Sequence, residues 1–472
     1  MLLLHASCVY AQNYHAVQGT SVAGSLNVAN NPASIVNIPG PWDVVPLAMQ
    51  VKNSTNAFTI LRYSYLSSPV GSQYRINGGN FSRYVANNFN VHLLNARVAL
   101  GRNQAIAFGA NLRGYTGAAT SVYNFRDSMK TLRKFFLGNQ ENRTLHAQIR
   151  TNSWVELFGT YSRTLWDNAV DRLNAGLTLK VTGGLSGASV ILENAGLLRS
   201  VRNNQASYII SSGNGSYAYS ANYDAWKKQQ SAAQNVQNLV STARKNLSFD
   251  LGVEYLLKPQ TITGAEDEDT YYDYTWKLGF SLLDLGRIKY TYGSQSRRID
   301  QLKTDIFDSS LQRKTARVHS LKGLNDSLAS IVNNLQPFTG TFYLNQPARL
   351  VINADKKLTD HIFVNAEVSV NLSYFAVHDA PFVDEMNVVS LTPRWESRRL
   401  GAYLPVLYNT HHQLWVGGAL RAGPLLLGFH NLAGFVSHQQ AQTGGGYLAF
   451  IIRPGKNAGK DRDSKHARCP KF

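Results

Sequence analysis

Eight polar residues recur at even spacing inside otherwise apolar runs. They are Asn353 and Asp355 in one run, Asn365, Glu367 and Asn371 in the next, and Asn174, Thr178 and Lys180 further back. Amides, carboxylates, a hydroxyl and an ammonium on one side of an extended chain could line a wet pathway and set its selectivity. They could equally hydrogen-bond to each other and close a filled barrel. Catalytic signals are weaker. No GxSxG, HExxH, P-loop, EF-hand or CxxC spacing occurs. His411 and His412 with a Ser or Asp remain candidates for a dispersed site, but adjacent histidines beside a strand start are more simply the border of a loop. Glu266-Asp267-Glu268-Asp269 lacks the spacing of a calcium loop and its glycine, and reads as a solvated acidic loop. Cys8 and Cys469 are the only cysteines, too few for a disulfide framework or a thiolate metal site. The expectation is a non-enzyme with no cofactor and no metal.

The elements that must position these residues show best between Leu350 and Leu372. In the second of two runs Ile362, Val364, Ala366, Val368, Val370 and Leu372 share one face, and Phe363, Asn365, Glu367, Ser369 and Asn371 share the other. A period of two specifies a strand. The first run places Leu350, Ile352 and Ala354 against Asn353, Asp355 and Lys357, with Val351 as an exception on the polar face, and Leu358-Thr359-Asp360-His361 joins the two. A tilted strand of about 9–11 residues spans a bilayer, so the pair has the length and pattern of a membrane hairpin.

Composition agrees. The 472 residues include 37 Gly, 24 Tyr, 20 Phe and 7 Trp with 16% charged residues, and mean hydropathy is -0.23. No run of about 18 apolar residues suggests a helical span. The fold class expected is all-β, a transmembrane antiparallel barrel. Net charge is +18, and much of the excess lies in Arg297 to Lys322 and in the tail 454–472. Without an aromatic-interleaved RNA motif or zinc spacing, basic loops beside an anionic membrane surface explain it better than nucleic acid. Residues 1–11 resemble the end of a secretory signal, with Cys8 as a lipidation alternative.

Residues 12–41 do not alternate and are rich in Gly, Asn and Pro. Such a segment fits an N-terminal plug inside a lumen, or a periplasmic leader. Strands are expected at 57–66, 91–100, 104–115, 146–162, 172–182, 247–257, 271–283, 287–295, 341–357, 361–373, 388–397, 400–408, 412–422, 424–430 and 446–453. Short turns are expected at 284–287, 358–361 and 421–424, and long connections at 258–270, 296–340, 374–387 and 431–445. That alternation matches the two ends of an outer-membrane barrel and would leave both termini periplasmic. Residues 224–246 read as a helix and 296–340 as a helical hairpin at the outer rim. Trp276, Trp395 and Trp415 with Tyr271, Tyr272 and Tyr274 are candidates for aromatic girdles.

Asn30-Asn31-Pro32-Ala33-Ser34, GFSLLDLGRIKYTYG at 279–293, LTPRWESRRLGAYLPVLYN at 391–409 and LRAGPLLLGFHNL at 420–432 carry a family likeness. With them the chain resembles an uncharacterised group of outer-membrane β-barrel proteins of Bacteroidetes, itself distantly similar to FadL-type transporters. The resemblance implies about fourteen strands around a hatch carrying Asn31, Pro32 and Ala33, and a channel or transporter for a small hydrophobic molecule. Barrels of this architecture also serve type IX secretion. The second expectation is therefore a non-transporting surface or secretion-associated barrel acting through envelope protein partners. Either way, outer-membrane lipid surrounds it.

Overall fold

The computed structural model describes residues 14–62, 72–140, 142, 144–202, 205–227, 229–259, 274–303, 306–316, 318–372, 386–436 and 440–454. Fourteen antiparallel strands close one ring. They are β1 (Trp42–Val45 and Ala48–Thr55), β2 (Gly79–Ala99), β3 (Gln104–Phe125), β4 (Thr144–Asp167), β5 (Asp171–Arg202), β6 (Lys245–Leu257) and β7 (Trp276–Thr291). The ring continues with β8 (Thr341–Asn345 and Arg349–Lys357), β9 (Ile362–Asn371), β10 (Val388–Glu396), β11 (Leu400–Tyr403 and Val406–Asn409), β12 (Leu414–Val416 and Gly418–Ala422), β13 (Leu425–Phe429) and β14 (Thr443–Gly444 and Gly446–Phe450). Closure comes from β14 on β1, with Ala48 opposite Ala449 and Asn53 opposite Gly444.

The alternation of the sequence becomes an inside-out barrel. Along β9, Ile362, Ala366 and Val368 are exposed while Phe363, Asn365, Glu367, Ser369 and Asn371 are buried. The same rule exposes Leu247, Phe249, Leu251 and Val253 on β6 and buries Ser248, Asp250 and Glu254. Polar residues inside and an apolar belt outside are the pattern of a barrel in lipid. Trp42, Trp166, Trp276 and Trp395 are exposed near strand ends on one rim, the interfacial position for indole rings. Trp415 and Tyr274 do not join a girdle. Both are buried, Trp415 beneath Lys52 and Tyr274 on Asp355, because their positions fall on the inward half of the alternation. Tyr271, Tyr272 and Glu266 to Asp269 lie outside the described residues, as do residues 1–13 and the tail from 455.

Three strand expectations change. Residues 271–283 and 287–295 are not two strands joined by a turn. One strand, β7, runs through Asp284, which takes φ +59 and shifts the register against β6, so the polar Asp-Leu-Gly-Arg stretch is a bulge. Phe58–Leu61 lies outside the ring, in a small sheet with Gln73–Ile76 and Gln440–Ala441, and the first ring strand is Trp42–Thr55. The 91–100 segment is the second half of β2.

Beyond the rim opposite the tryptophans, β5 continues as one edge of a wing. Gln205–Tyr219 pairs with it, Arg297–Leu302 with that strand, and Val332–Pro337 with Arg297–Leu302. Helices α1 (Leu132–Gly138), α2 (Ala232–Ser241), α3 (Asp308–Thr315) and α4 (Leu321–Ala329) cover the same end. The 296–340 insertion is thus a helix pair flanked by two strands. The expected 224–246 helix shortens to α2, whose N-terminus is set by the Ser231–Gln234 capping box.

Candidate functional site

All eight predicted lumen residues, Asn174, Thr178, Lys180, Asn353, Asp355, Asn365, Glu367 and Asn371, are buried on the inner face. Several pair along the wall: Thr178 with Thr160 at 2.8 Å, and Asn353 with Asn365 reciprocally at 3.0 and 3.1 Å. Others face the inner segment. From Tyr14 to Gly40 the chain forms three 3-10 stretches, His15–Val17, Ser21–Ala29 and Pro32–Asn37, with Ala16, Val17, Ala23, Ala33 and Ile35 almost fully buried.

The surrounding wall supplies the segment's polar partners, since without strand pairing its carbonyls and amides need them. Arg349 on β8 donates to the Ala29 carbonyl at 2.7 Å, Ser281 on β7 to Asn30 at 2.7 Å, and Ser162 on β4 to Ala33 at 3.0 Å. Thr20 donates to Glu396 on β10 at 2.7 Å and Asn30 to Glu367 on β9 at 2.9 Å. Asn31 donates to the Val253 carbonyl on β6 at 2.9 Å, and its side chain also caps Ala33, which starts the next 3-10 turn. Glycines let the segment come this close. A Cβ at Gly176 would stand 2.4 Å from the Pro32 carbonyl carbon, and one at Gly252 would stand 2.1 Å from Asn31 Oδ1. Asn31, Pro32 and Ala33 therefore meet β5 and β6 by direct backbone approach. The kink at Gly24, φ +59, turns the chain over Asp43, which accepts from Ser25 N at 2.7 Å and pairs with Arg97 at 3.1 Å.

Charge is stacked in two layers. In one, Arg394 makes a two-pronged pair with Asp355, both fully buried, and Tyr274 donates to the same carboxylate. In the other, Asp284 receives Arg113 at 2.6 and 2.7 Å and Lys180 at 2.7 Å, while Lys180 also meets Asp250 at 2.7 Å. Glu156 takes Arg113 at 3.4 Å, Asn111 at 2.9 Å and the Trp154 indole at 3.0 Å. Burying this many charges is tolerable because each carboxylate has a cation and further donors. A small cavity of about 40 Å³ lies between this layer and the inner segment, lined among others by Tyr14, Leu26, His92, Asn111 and Phe158.

Toward the wing the lumen turns aromatic. Tyr115 stacks on Trp154 at 5.4 Å, Phe342 lies 5.5 Å from Tyr290 and 4.7 Å from Tyr292, and Ile288 and Leu344 complete the cluster. Tyr290 reaches across to β5, where a Cβ at Gly184 or Gly187 would stand 2.5 or 2.7 Å from its ring.

Arg113, Glu156, Asp250, Asp284 and Arg394 escaped sequence reasoning as site residues. A signal existed for some: Glu156 stands between Val155 and Leu157, and Asp250 between Phe249 and Leu251, charges on the polar half of an apolar alternation. Their pairing across the lumen is not local and left no trace in spacing. His411 and His412 border the β11–β12 turn, His411 stacked on Tyr84 at 3.5 Å and His412 beside the Tyr408 hydroxyl at 3.0 Å. Among the described residues, no group of three or more His, Cys, Asp or Glu is placed to hold a metal ion.

The family of unknown function DUF5723 matches residues 32–430. The chain belongs to that family. No curated protein matches its sequence. Among solved structures it is similar to a Pseudomonas aeruginosa FadL homologue, with 10% identity, 94% of this chain and 99% of that one covered, and a TM-score of 0.41. The Ralstonia pickettii toluene transporter TbuX gives 11%, 92%, 95% and 0.39, and the P. putida toluene transporter TodX gives 11%, 91%, 92% and 0.37.

Proposed function

We propose that this DUF5723 protein is an outer-membrane barrel that admits a small hydrophobic molecule, with residues 12–41 as its hatch. In this reading both termini are periplasmic and the wing faces outward. The observation that carries it is the inner segment: it lies inside the ring, held there by hydrogen bonds and close packing without strand pairing. Such a body closes a pathway and can be rearranged at a cost of ~1 kcal/mol per hydrogen bond exchanged for water. The aromatic cluster of Tyr115, Trp154, Tyr290 and Phe342 supports a hydrophobic cargo, because it makes the wing end of the lumen apolar where a molecule would first enter, and its packed rings would have to part to pass one. Uptake of a radiolabelled aromatic hydrocarbon by cells carrying and lacking the gene tests the cargo. Uptake several-fold slower in the deletion strain, restored by the gene, is expected; equal uptake would contradict it.

A second reading rests on the wing, a folded platform of strands and helices larger than closure requires. In it, a secretion-associated or other envelope protein docks there. Crosslinking from exposed wing positions such as Arg298 would recover that partner in the second reading and none in the first.

A further inference from the structure

The wing end of β6 and β7 carries four cations that neither the lumen nor the wing uses. Lys245, the first residue of β6, and Arg287 and Lys289, which follow the bulge on β7, fall on the outward half of the alternation, and Arg244 is exposed just before β6. Asn246 Oδ1 accepts from Lys289 N at 3.1 Å, and Arg244 donates to Thr291 Oγ1 at 3.1 Å, which fixes the two strands side by side. With strands about 4.8 Å apart and alternate residues about 6.8 Å apart, the four charges share a patch roughly 10 Å across. Tyr343 on β8, opposite Lys289 in register, holds both β7 cations over its ring, Arg287 at 4.4 Å and Lys289 at 5.4 Å. No carboxylate pairs with any of the four among the described residues.

Just below, toward the tryptophan rim, lie Leu247, 77% exposed, and Phe249. The wall of β10 to β12 differs at the same end: residues 386–391 and 405–417 contain no Lys or Arg, and Val389, Tyr408 and Leu414 are exposed there. The four cations therefore form a cluster that β10 to β12 lack, directly above apolar surface. This combination suits an amphiphile with fixed negative charge: guanidinium and ammonium groups bind phosphate oxygens, and the belt beneath takes acyl chains.

We propose that this patch binds a phosphorylated glycolipid of the outer leaflet. Arg244, Lys245, Arg287 and Lys289 take its phosphates, and Leu247 and Phe249 lie against its chains. The site rests on the outer-membrane placement proposed above.

The test uses the full chain, purified in neutral detergent and stripped of lipid, with native mass spectrometry reading bound bisphosphorylated lipid A, its dephosphorylated form and phosphatidylglycerol. Retention of the bisphosphorylated form should fall at least tenfold in R287Q/K289Q and in R244Q/K245Q, and should be unchanged in R298Q on the wing. Equal retention by wild type and both patch variants would overturn the site. So would equal binding of the dephosphorylated lipid, and equal binding of phosphatidylglycerol would overturn the glycolipid assignment. Membrane fractionation separates the two claims. A folded barrel in the outer membrane without selective retention removes the site alone, whereas recovery in another fraction removes the placement and the site together.

Discussion

The two walls of this barrel differ in length and in what their outward faces meet. Strands β2 to β5 run 21, 22, 24 and 32 residues, whereas β9 and β10 run 10 and 9 and β13 runs 5. About 9–11 residues suffice to cross the hydrocarbon, so in the proposed outer-membrane reading the short wall would be nearly all membrane and the long wall would continue well past it. On β8 and β9 the short wall is apolar outside and mostly polar inside, while from β10 to β13 the inward residues Val388, Leu407, Trp415, Ala419 and Leu426 are themselves apolar and buried. The long wall is apolar outside and polar inside near the tryptophan rim and loses that pattern above, where both faces are wet or covered by the wing. The lesson is that alternation reports the solvent on each face and fades where the two faces become alike.

Several substitutions would break or sharpen that contrast. The largest effect should come from R113Q, which takes from Asp284 its two-pronged partner and leaves a buried carboxylate short of charge. A loss of about 3–5 kcal/mol of folding free energy is expected, read by reversible urea unfolding in lipid vesicles. Next, an arginine at Leu391, exposed on the short wall, should cost about 2–4 kcal/mol in the same assay, the midplane penalty. An arginine at Val190 on the long wall, also exposed, should cost about 0–1 kcal/mol, because that residue lies beyond the hydrocarbon. Equal costs at the two sites would mean the walls are equally embedded. The smallest effect on the barrel should follow from replacing 297–337 by a short linker. Heat-modifiable gel mobility should persist, since the removed strands pair with Gln205–Tyr219 and not with the ring.

The same contrast explains what the sequence disclosed. The hairpin of β8 and β9 was legible in full, down to Val351 as the inward exception, because each position has a distinct solvent. No strand was expected across 183–220, which form the upper half of β5 and the wing strand beside it, because there apolar residues such as Ile191 and Leu192, Leu197 and Leu198, and Ile209 and Ile210 come in adjacent pairs and mark no single face. At Asp284 and Gly286 a bulge uses the residues of a turn, so one strand looked like two. Period alone puts the eight residues on the buried half of the alternation, and a pathway lined by them belongs to the proposed reading. Their ionic partners do not follow from period: Arg113 reaches Asp284 across 171 positions of sequence, and only the closed ring brings them together. The placement of Asn31, Pro32 and Ala33 against Gly176 and Gly252 was likewise invisible, although the resemblance had marked the three residues.

A leucine at Gly176 would press on the Pro32 backbone and should unseat the inner segment without touching its own sequence, giving flickering current where the parent is silent. The most direct measurement is single-channel conductance in a planar bilayer of the full chain and of a chain lacking residues 12–41, each shown to be folded by heat-modifiable mobility. A silent full chain and steady current after the deletion are the result expected of a lumen closed by that segment. Silence from both folded forms would mean that the charged and aromatic layers fill the barrel by themselves, and would contradict the hatch.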